Sequence, residues 1–376
     1  ATARAAGLSV RAGALLFLVE MAASPIIALI LLVAIIAGRP SSVEVAGPIL
    51  ALWVAAPVVA YWLSRPVPPE RHLLGAEDRL FLRLIARKTW RYFETFMGPD
   101  DNGLPPDNVQ ETPSLRVAHR TSPTNIGMGL LSTLAAHDLG FIRTAELVER
   151  LTATLSTMEG LERFEGHLLN WYDTQTLEPL PPRYVSTVDS GNLAGALLAL
   201  AEGLRQLVDQ PQSAGAICAG LRDTAELARQ YLARLADIPG EDTRAVLATE
   251  VKSIRDVLDG PEEAEQRLAQ CRGRATALAE AIDSFESTGA NSMQAAYWSS
   301  SLARELAAPA SDPSLFATRL EGLASRALAF VAGMSFGFLY DRERQIFAIG
   351  YRLADAQSAA RLDGSFYDLL ASEARL

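Results

Sequence analysis

The chain has 376 residues, 49% of them hydrophobic and 21% charged, with a net charge of −10. That length allows two or three domains, and the acidic balance argues against general nucleic-acid binding. The two cysteines, Cys218 and Cys271, lie far apart in alanine-rich helical text, which fits a reducing compartment and gives neither a disulfide framework nor a metal cluster.

In chain order, the first 64 residues are much more apolar than the rest. Ala14 to Ala37 carries one charge, Glu20, and exceeds the roughly 20 residues that span a bilayer. Pro48 to Leu63 is shorter and carries Trp53, Tyr61 and Trp62, the residues of an interfacial belt. The length of the first run and the second run behind it favour a membrane hairpin over a signal peptide. Arg4 and Arg11 precede the pair, and Arg65, Arg71, Arg79, Arg83, Arg87 and Lys88 follow it. The positive-inside rule then places both flanks in the cytoplasm.

After a proline-rich linker, a helix is expected over about 76–97. Leu80, Phe81, Leu84, Ile85, Tyr92, Phe93 and Phe96 form its core-facing stripe. The loop D-D-N-G-L-P-P-D-N-V-Q lacks the spacing of an EF-hand. Thr121 or Ser122 can cap a helix opening near Pro123 and ending before Gly140. An amphipathic helix follows over about 143–159, burying Leu147, Val148, Leu151, Leu155 and Met158.

Arg163 to Gly195 is too polar and proline-rich to be read as helix or strand over most of its length. It holds Trp171, Tyr172, Tyr184, Arg183, His167 and two aspartates. Disordered segments are poor in aromatics, so an ordered, functional loop is expected. It leads into an apolar helix opening near Ser186 to Asp189, and an amphipathic helix follows over about 213–236. The alternation of nearly apolar with one-striped helices points to inner and outer helices of a toroid. Residues 240–285 are charged and alanine-rich, a solvated helical insertion. Helices are expected over 290–306 and 313–333. The stretch F-G-F-L-Y-D-R-E-R-Q-I-F-A-I-G-Y-R alternates around a polar turn as a β-hairpin, and the run R-L-D-G-S-F-Y-D-L-L-A-S-E-A-R-L opens another inner helix.

The runs R-T-S-P-T-N-I-G, N-W-Y-D-T-Q-T-L-E-P-L-P-P-R-Y-V-S-T-V-D-S-G-N-L-A-G, F-L-Y-D-R-E-R-Q-I-F-A-I-G-Y and L-D-G-S-F-Y-D-L-L-A-S-E-A-R-L resemble the glucoamylase-like region of cyclic β-1,2-glucan synthases. That resemblance implies a large, multi-pass bacterial inner-membrane enzyme whose middle (α/α)6 module cyclises a linear β-1,2-glucan by transglycosylation. Its neighbours would be a glycosyltransferase and a phosphorylase-like module of the same chain. The two catalytic glutamates would lie beyond the S-E-A-R-L run. The fold class is thus all-α: a transmembrane hairpin over 1–66, then an incomplete (α/α)6 toroid over 67–376 with an insertion and a small β-hairpin. The chain is expected to be a fragment, inactive alone, needing no cofactor in this region. Its partners would be β-1,2-glucan, membrane lipid and the adjoining modules, without nucleic acid.

The candidate glucan-binding residues are Arg120, Asn125, Trp171, Tyr172, Arg183, Tyr184, Asp189 and Asn192. Trp and Tyr suit stacking on pyranose faces and pinning a loop equally well. Asp189 can cap its helix or meet a hydroxyl. Asp173 fits an Asx-turn. Arg120 and Arg183 can fork onto these aspartates or onto sugar. Retaining glycosidic chemistry needs two carboxyls about 5 Å apart, and Asp107, Asp173, Asp189 and Asp363 are the first suspects should the fragment act alone. An independent glycoside hydrolase and a non-catalytic glycan-binding module remain open as rivals.

Overall fold

A computed structural model describes residues 14–64, 74–235, 241–285, 289–308, 315–354 and 358–367. The chain divides into two compact units, Ala1–Leu73 and Leu74–Leu376.

In the first unit, α1 (Ala14–Glu20), α2 (Ala23–Gly38) and α3 (Val43–Leu63) follow one another. The run expected as one span is broken at Met21 and Ala22. Pro25 has no N–H to give the Met21 carbonyl, and its ring crowds that group; Ser24 N donates to that carbonyl instead, at 3.0 Å. A 3₁₀ turn, Pro40–Ser42, joins α2 to α3. Ser24 Oγ donates to the Trp53 carbonyl across the pair at 2.9 Å. Most large apolar side chains here face outward, among them Val19, Ile30, Leu52, Val58 and Trp62. Among the described residues one helix, Pro40–Leu63, is long and apolar enough to cross a membrane, and the apolar α2 is shorter at 16 residues.

The second unit is built mainly from helices. α4 (Ala76–Phe96), α5 (Pro123–Asp138) and α6 (Thr144–Gly160) come first. Then come α7 (Thr187–Asp209) and α8 (Ala214–Ala233). Ser122 caps α5 by accepting from Asn125 N, and Ser186 caps α7 by accepting from Asp189 N, each at 3.2 Å. Gly140, at φ +82°, ends the α5 turn where only a residue tolerating positive φ fits. Its missing Cβ also lets the backbone lie against Ala216.

α9 (Glu241–Leu258), α10 (Ala264–Gly273), α11 (Ala275–Asp283), α12 (Ala290–Ala307) and α13 (Ala317–Ala332) complete the helices. α5 and α7 lie side by side and parallel. A Cβ at Gly127 would come within 3.0 Å of Ala196, and Gly203 meets Leu134 one register further on. α6 runs back along α5. α13 runs back along α7, since Arg205 late in α7 meets Glu321 early in α13, and Arg326 ties α13 to Glu159 of α6. Two inner and two outer helices result, the local arrangement of an incomplete (α/α)6 toroid. Leu147, Leu151, Leu155 and Met158 of α6, Leu193, Leu197, Leu200 and Leu204 of α7, and Leu320 and Leu323 of α13 fill one core. Their three- and four-residue spacing puts each set on one helix face.

The outer partner of α7 is α13, not the 213–236 helix that sequence order offers. α8 turns Leu221, Ala225 and Leu232 to a second core with Leu247, Ile254, Leu278, Trp298 and Leu302. Residues 241–285 therefore sit inside a wider bundle, α8 to α12, that interrupts the toroid between α7 and α13. α4 contacts both α5 and α8. Its stripe also departs from expectation. Phe93 is buried and Arg87 is wholly buried, but Leu80, Phe81 and Ile85 are exposed.

The stretch expected to lack regular structure holds four short strands: β4 (Arg163–Phe164), β5 (His167–Leu168), β6 (Tyr172–Asp173) and β7 (Tyr184–Ser186). Upstream lie β1 (Val109–Gln110), β2 (Arg116–Val117) and β3 (Arg120–Thr121). The expected hairpin is β8 (Tyr340–Asp341) with β9 (Ile346–Phe347). β10 (Gly350–Arg352) leaves it to pair with β7 on one side and β11 (Arg361–Leu362) on the other. Of the run expected to open a last inner helix, Arg361–Leu362 is strand β11 instead, and the rest, from residue 368 on with S-E-A-R-L, lies outside the described residues.

Candidate functional site at the inner helix N-termini

Because α5 and α7 are parallel, their N-termini end side by side. Two loops deliver them there. β3 pairs with β6, Arg120 opposite Asp173 and Thr121 opposite Tyr172. β7 is held by β10. Under this layer, Phe164, Phe338 and Tyr351 pack ring on ring, with His167 against Phe336 and Phe338. Burial lowers the His167 pKa, which keeps the ring neutral.

Asp189 is the hub. Its Oδ1 accepts from Thr124 Oγ1 of α5 at 2.5 Å, and Thr124 accepts in turn from Asn192 Nδ2 at 3.1 Å. With the Asn170 amide turned to satisfy both neighbours, its nitrogen donates to Asp189 Oδ2 at 3.1 Å. Its oxygen then accepts from Trp171 Nε1 at 3.2 Å. One chain of hydrogen bonds thus joins the loop, α7 and α5. Ser186 is the cap, so the Asp189 carboxylate is free for this role. Asp189, Asn192 and Trp171 are half-buried.

Beside the hub, the Arg120 guanidinium lies 4.8 Å from the Trp171 ring centroid. Arg120 also forks onto Asp107 Oδ2, at 2.9 and 3.2 Å, and Asn125 Nδ2 reaches Asp107 Oδ1 at 3.4 Å. Arg120, Asn125, Trp171, Asp189 and Asn192 therefore gather at one place. Asp107, Thr124 and Asn170 complete it. Sequence reasoning named Asp107 only as a carboxylate suspect and missed the other two. Thr124, in the first turn of α5, and Asn170, beside Trp171, sat next to residues that were singled out.

Three candidates do other work. Tyr172 is fully buried. Its hydroxyl donates to the Glu162 carbonyl at 2.5 Å and accepts from Leu169 N at 2.6 Å; burial raises its pKa. It fastens the loop and has no face to offer a sugar. Arg183 pairs with Glu162 rather than with either aspartate. Tyr184 donates to Asp363 Oδ2 at 3.1 Å and lies against Gly350, where a Cβ would collide with the ring. Burial, then Asp363, raise its pKa. It borders a separate cleft of about 620 Å³ lined by Arg352, Arg361 and Asp363.

Asp173 forms the expected Asx-turn, accepting from Gln175 N and Thr176 N at 2.9 and 2.8 Å. Those backbone donors, Thr176 first, lower its pKa. His119 pairs with Asp101 at 2.7 Å. A larger cavity, about 780 Å³, lies between the ends of α4 and α12 and the side of α6, lined by Met97, Arg143, Ala153 and Arg304 among others. It has no aromatic platform, and the polar cluster is not part of it.

Residues 84–201 match a family described as "Protein of unknown function (DUF3131)". The chain is 35% identical over 347 residues to the cyclic beta-(1,2)-glucan synthase NdvB of Rhizobium meliloti. That alignment takes in 88% of this chain and 12% of the relative's length. Among solved structures, a candidate glucoamylase from Bacteroides fragilis aligns at 18% identity and a TM-score of 0.31, over 47% of this chain and 41% of that one. Another, from Bacteroides caccae, aligns at 20% and 0.29, over 45% and 40%. The resemblance carried by the four sequence runs is thus matched by an alignment to a segment of a cyclic glucan synthase.

Proposed function

We propose, from this kinship with one segment of a cyclic β-1,2-glucan synthase, that the chain is the membrane segment and glucan-holding part of such an enzyme's cyclising module. The observation that supports it is the hydrogen-bonded cluster on Asp189, with Trp171 and Arg120 at its edge. A glucan presents hydroxyls that both donate and accept, and apolar pyranose faces. The cluster offers a carboxylate, two amides and an indole, already oriented by each other, so little ordering entropy is lost when sugar binds. A linear β-1,2-glucan lies across the α5 and α7 N-termini and is presented for intramolecular transglycosylation. The acid and base carboxylates are supplied by sequence beyond this chain, as are the glycosyltransferase and phosphorylase-like modules. α2 and α3 anchor the assembly in a bacterial inner membrane, with the large unit on the cytoplasmic side.

The test uses the complete enzyme. Its middle module, given linear β-1,2-glucan, should release cyclic product, and Asp189→Asn or Trp171→Ala should raise the glucan concentration needed for half-maximal rate. A wild-type enzyme yielding only shorter linear chains would make this a hydrolase.

A further inference from the structure

α4 leaves an apolar face uncovered. Leu84, Arg87, Trp90 and Phe93 turn inward. On another side of the same helix Phe81 is 63% exposed, Leu82 48% and Ile85 45%, with Leu74 just ahead at 49%. At 100° per residue Phe81, Ile85 and Leu82 span about a quarter of the helix circumference. Every residue from Leu74 to Leu82 is exposed, so the first half of α4 stands clear of the core, and its apolar cluster calls for an occupant.

The chain itself indicates which. α3, the helix long enough to span a bilayer, ends at Leu63. Leu74 is eleven residues further on, a distance that cannot exceed about 40 Å at full extension. The start of α4 is therefore tethered within reach of a membrane surface. The side chains fit that surface. Phe, Leu and Ile form the apolar face; the Lys88 ammonium, one turn beyond Ile85, lies 6.0 Å from the Tyr231 ring centroid, and Glu77 and Asp78 stand in the first turn. Asp78 bends back to accept from Gly75 N at 3.2 Å, which holds its charge at the helix start.

We propose that the first half of α4 is an interfacial helix, its Phe81–Leu82–Ile85 face seated in the headgroup and acyl boundary of the bilayer that α3 enters. This rests on the reading of α3 as a membrane helix.

The test reconstitutes the full chain in nanodiscs of phosphatidylcholine with phosphatidylglycerol. Nitroxide labels go at Phe81→Cys, at Val58→Cys in α3 and at Gln175→Cys on an exposed loop; Cys218 and Cys271 are buried. The expected result is that labels 58 and 81 relax several-fold more with oxygen than with a water-soluble nickel chelate, while label 175 shows the reverse. A label at 81 open to nickel, or closed to both agents, overturns the interfacial helix while leaving the membrane helix standing. A label at 58 open to nickel removes the membrane reading and the proposal with it. Phe81→Trp gives the same readout without a label: brominated lipid should quench its added fluorescence, and absence of that quenching overturns the proposal.

Discussion

Two polar clusters in the large unit look alike as residue lists and differ in where they sit. At the inner helix ends, Asp189, Asn192, Asn170 and Trp171 form a chain with half-exposed members. At the seam between the two cores, Arg87 is fully buried. It bonds Glu94 at 3.2 Å, Glu305 at 2.8 Å and Thr224 at 3.0 Å, with Phe141 and Trp298 against its guanidinium. Glu94 also takes Arg304 and Tyr297. In the second cluster the charges meet one another and no ligand reaches Arg87. In the first the same chemistry is left partly open. Exposure is what separates the two clusters.

The widest separation is expected in stability. Arg87→Ala leaves two carboxylates facing each other inside the protein, and a broken buried pair costs about 3–5 kcal/mol. Thermal unfolding of the large unit should show a loss of that size, against less than about 1 kcal/mol for Arg120→Ala, whose side chain is half-exposed. Comparable losses would erase the distinction.

Next comes pH. Burial and then the nearby Glu94 charge push Glu305 up to about 7, against the pull of Arg87. A carboxyl with a raised folded pKa binds more protons folded than unfolded. Its contribution to stability is therefore present below its ordinary pKa near 4.5 and is lost as pH rises through about 7. Glu305→Gln should flatten the fall between pH 5 and 7 in denaturant midpoints. An unchanged slope would assign the pH dependence elsewhere.

Tyr172→Phe separates fastening from binding. It strands Leu169 N and the Glu162 carbonyl, at a cost of about 1–3 kcal/mol. Chemical denaturation should register it. Glucan affinity of the folded fraction should stay unchanged, and an affinity loss with no stability loss would return Tyr172 to the binding surface. The smallest effect is Trp171→Ala on glucan binding, about 1.4 kcal/mol or tenfold in Kd by titration calorimetry.

Much of this was legible in the sequence because helix signals are local. Ser122 and Ser186 stand where caps should, Gly140 stops its helix, and the α6 stripe is buried as its spacing says. The outer partner of α7 was not legible. The amphipathic α8 satisfies the pattern equally well, and only long-range packing chooses α13. The strands of two or three residues escaped because pairing such as β7 with β10 joins residues more than 160 positions apart, with no room for a period-two signal. Arg87 escaped for a related reason. A charge reads as exposed until its partners arrive, and Glu305 comes 218 residues later. The site followed the same division. Asp189, Asn192, Asn125, Trp171 and Arg120, singled out from loop chemistry, lie together in the structure, whereas Tyr172 is buried, because an aromatic that fastens a loop and one that could hold sugar look the same in sequence.

The central claim is that glucan is held at the α5 and α7 N-termini and not in the interrupting bundle. Amide hydrogen exchange of the protein with and without linear β-1,2-glucan tests it directly. Slowed exchange is expected over 119–126 and 168–192, with 214–307 unchanged. Protection confined to the bundle, or absent from both regions at saturating glucan, would contradict it.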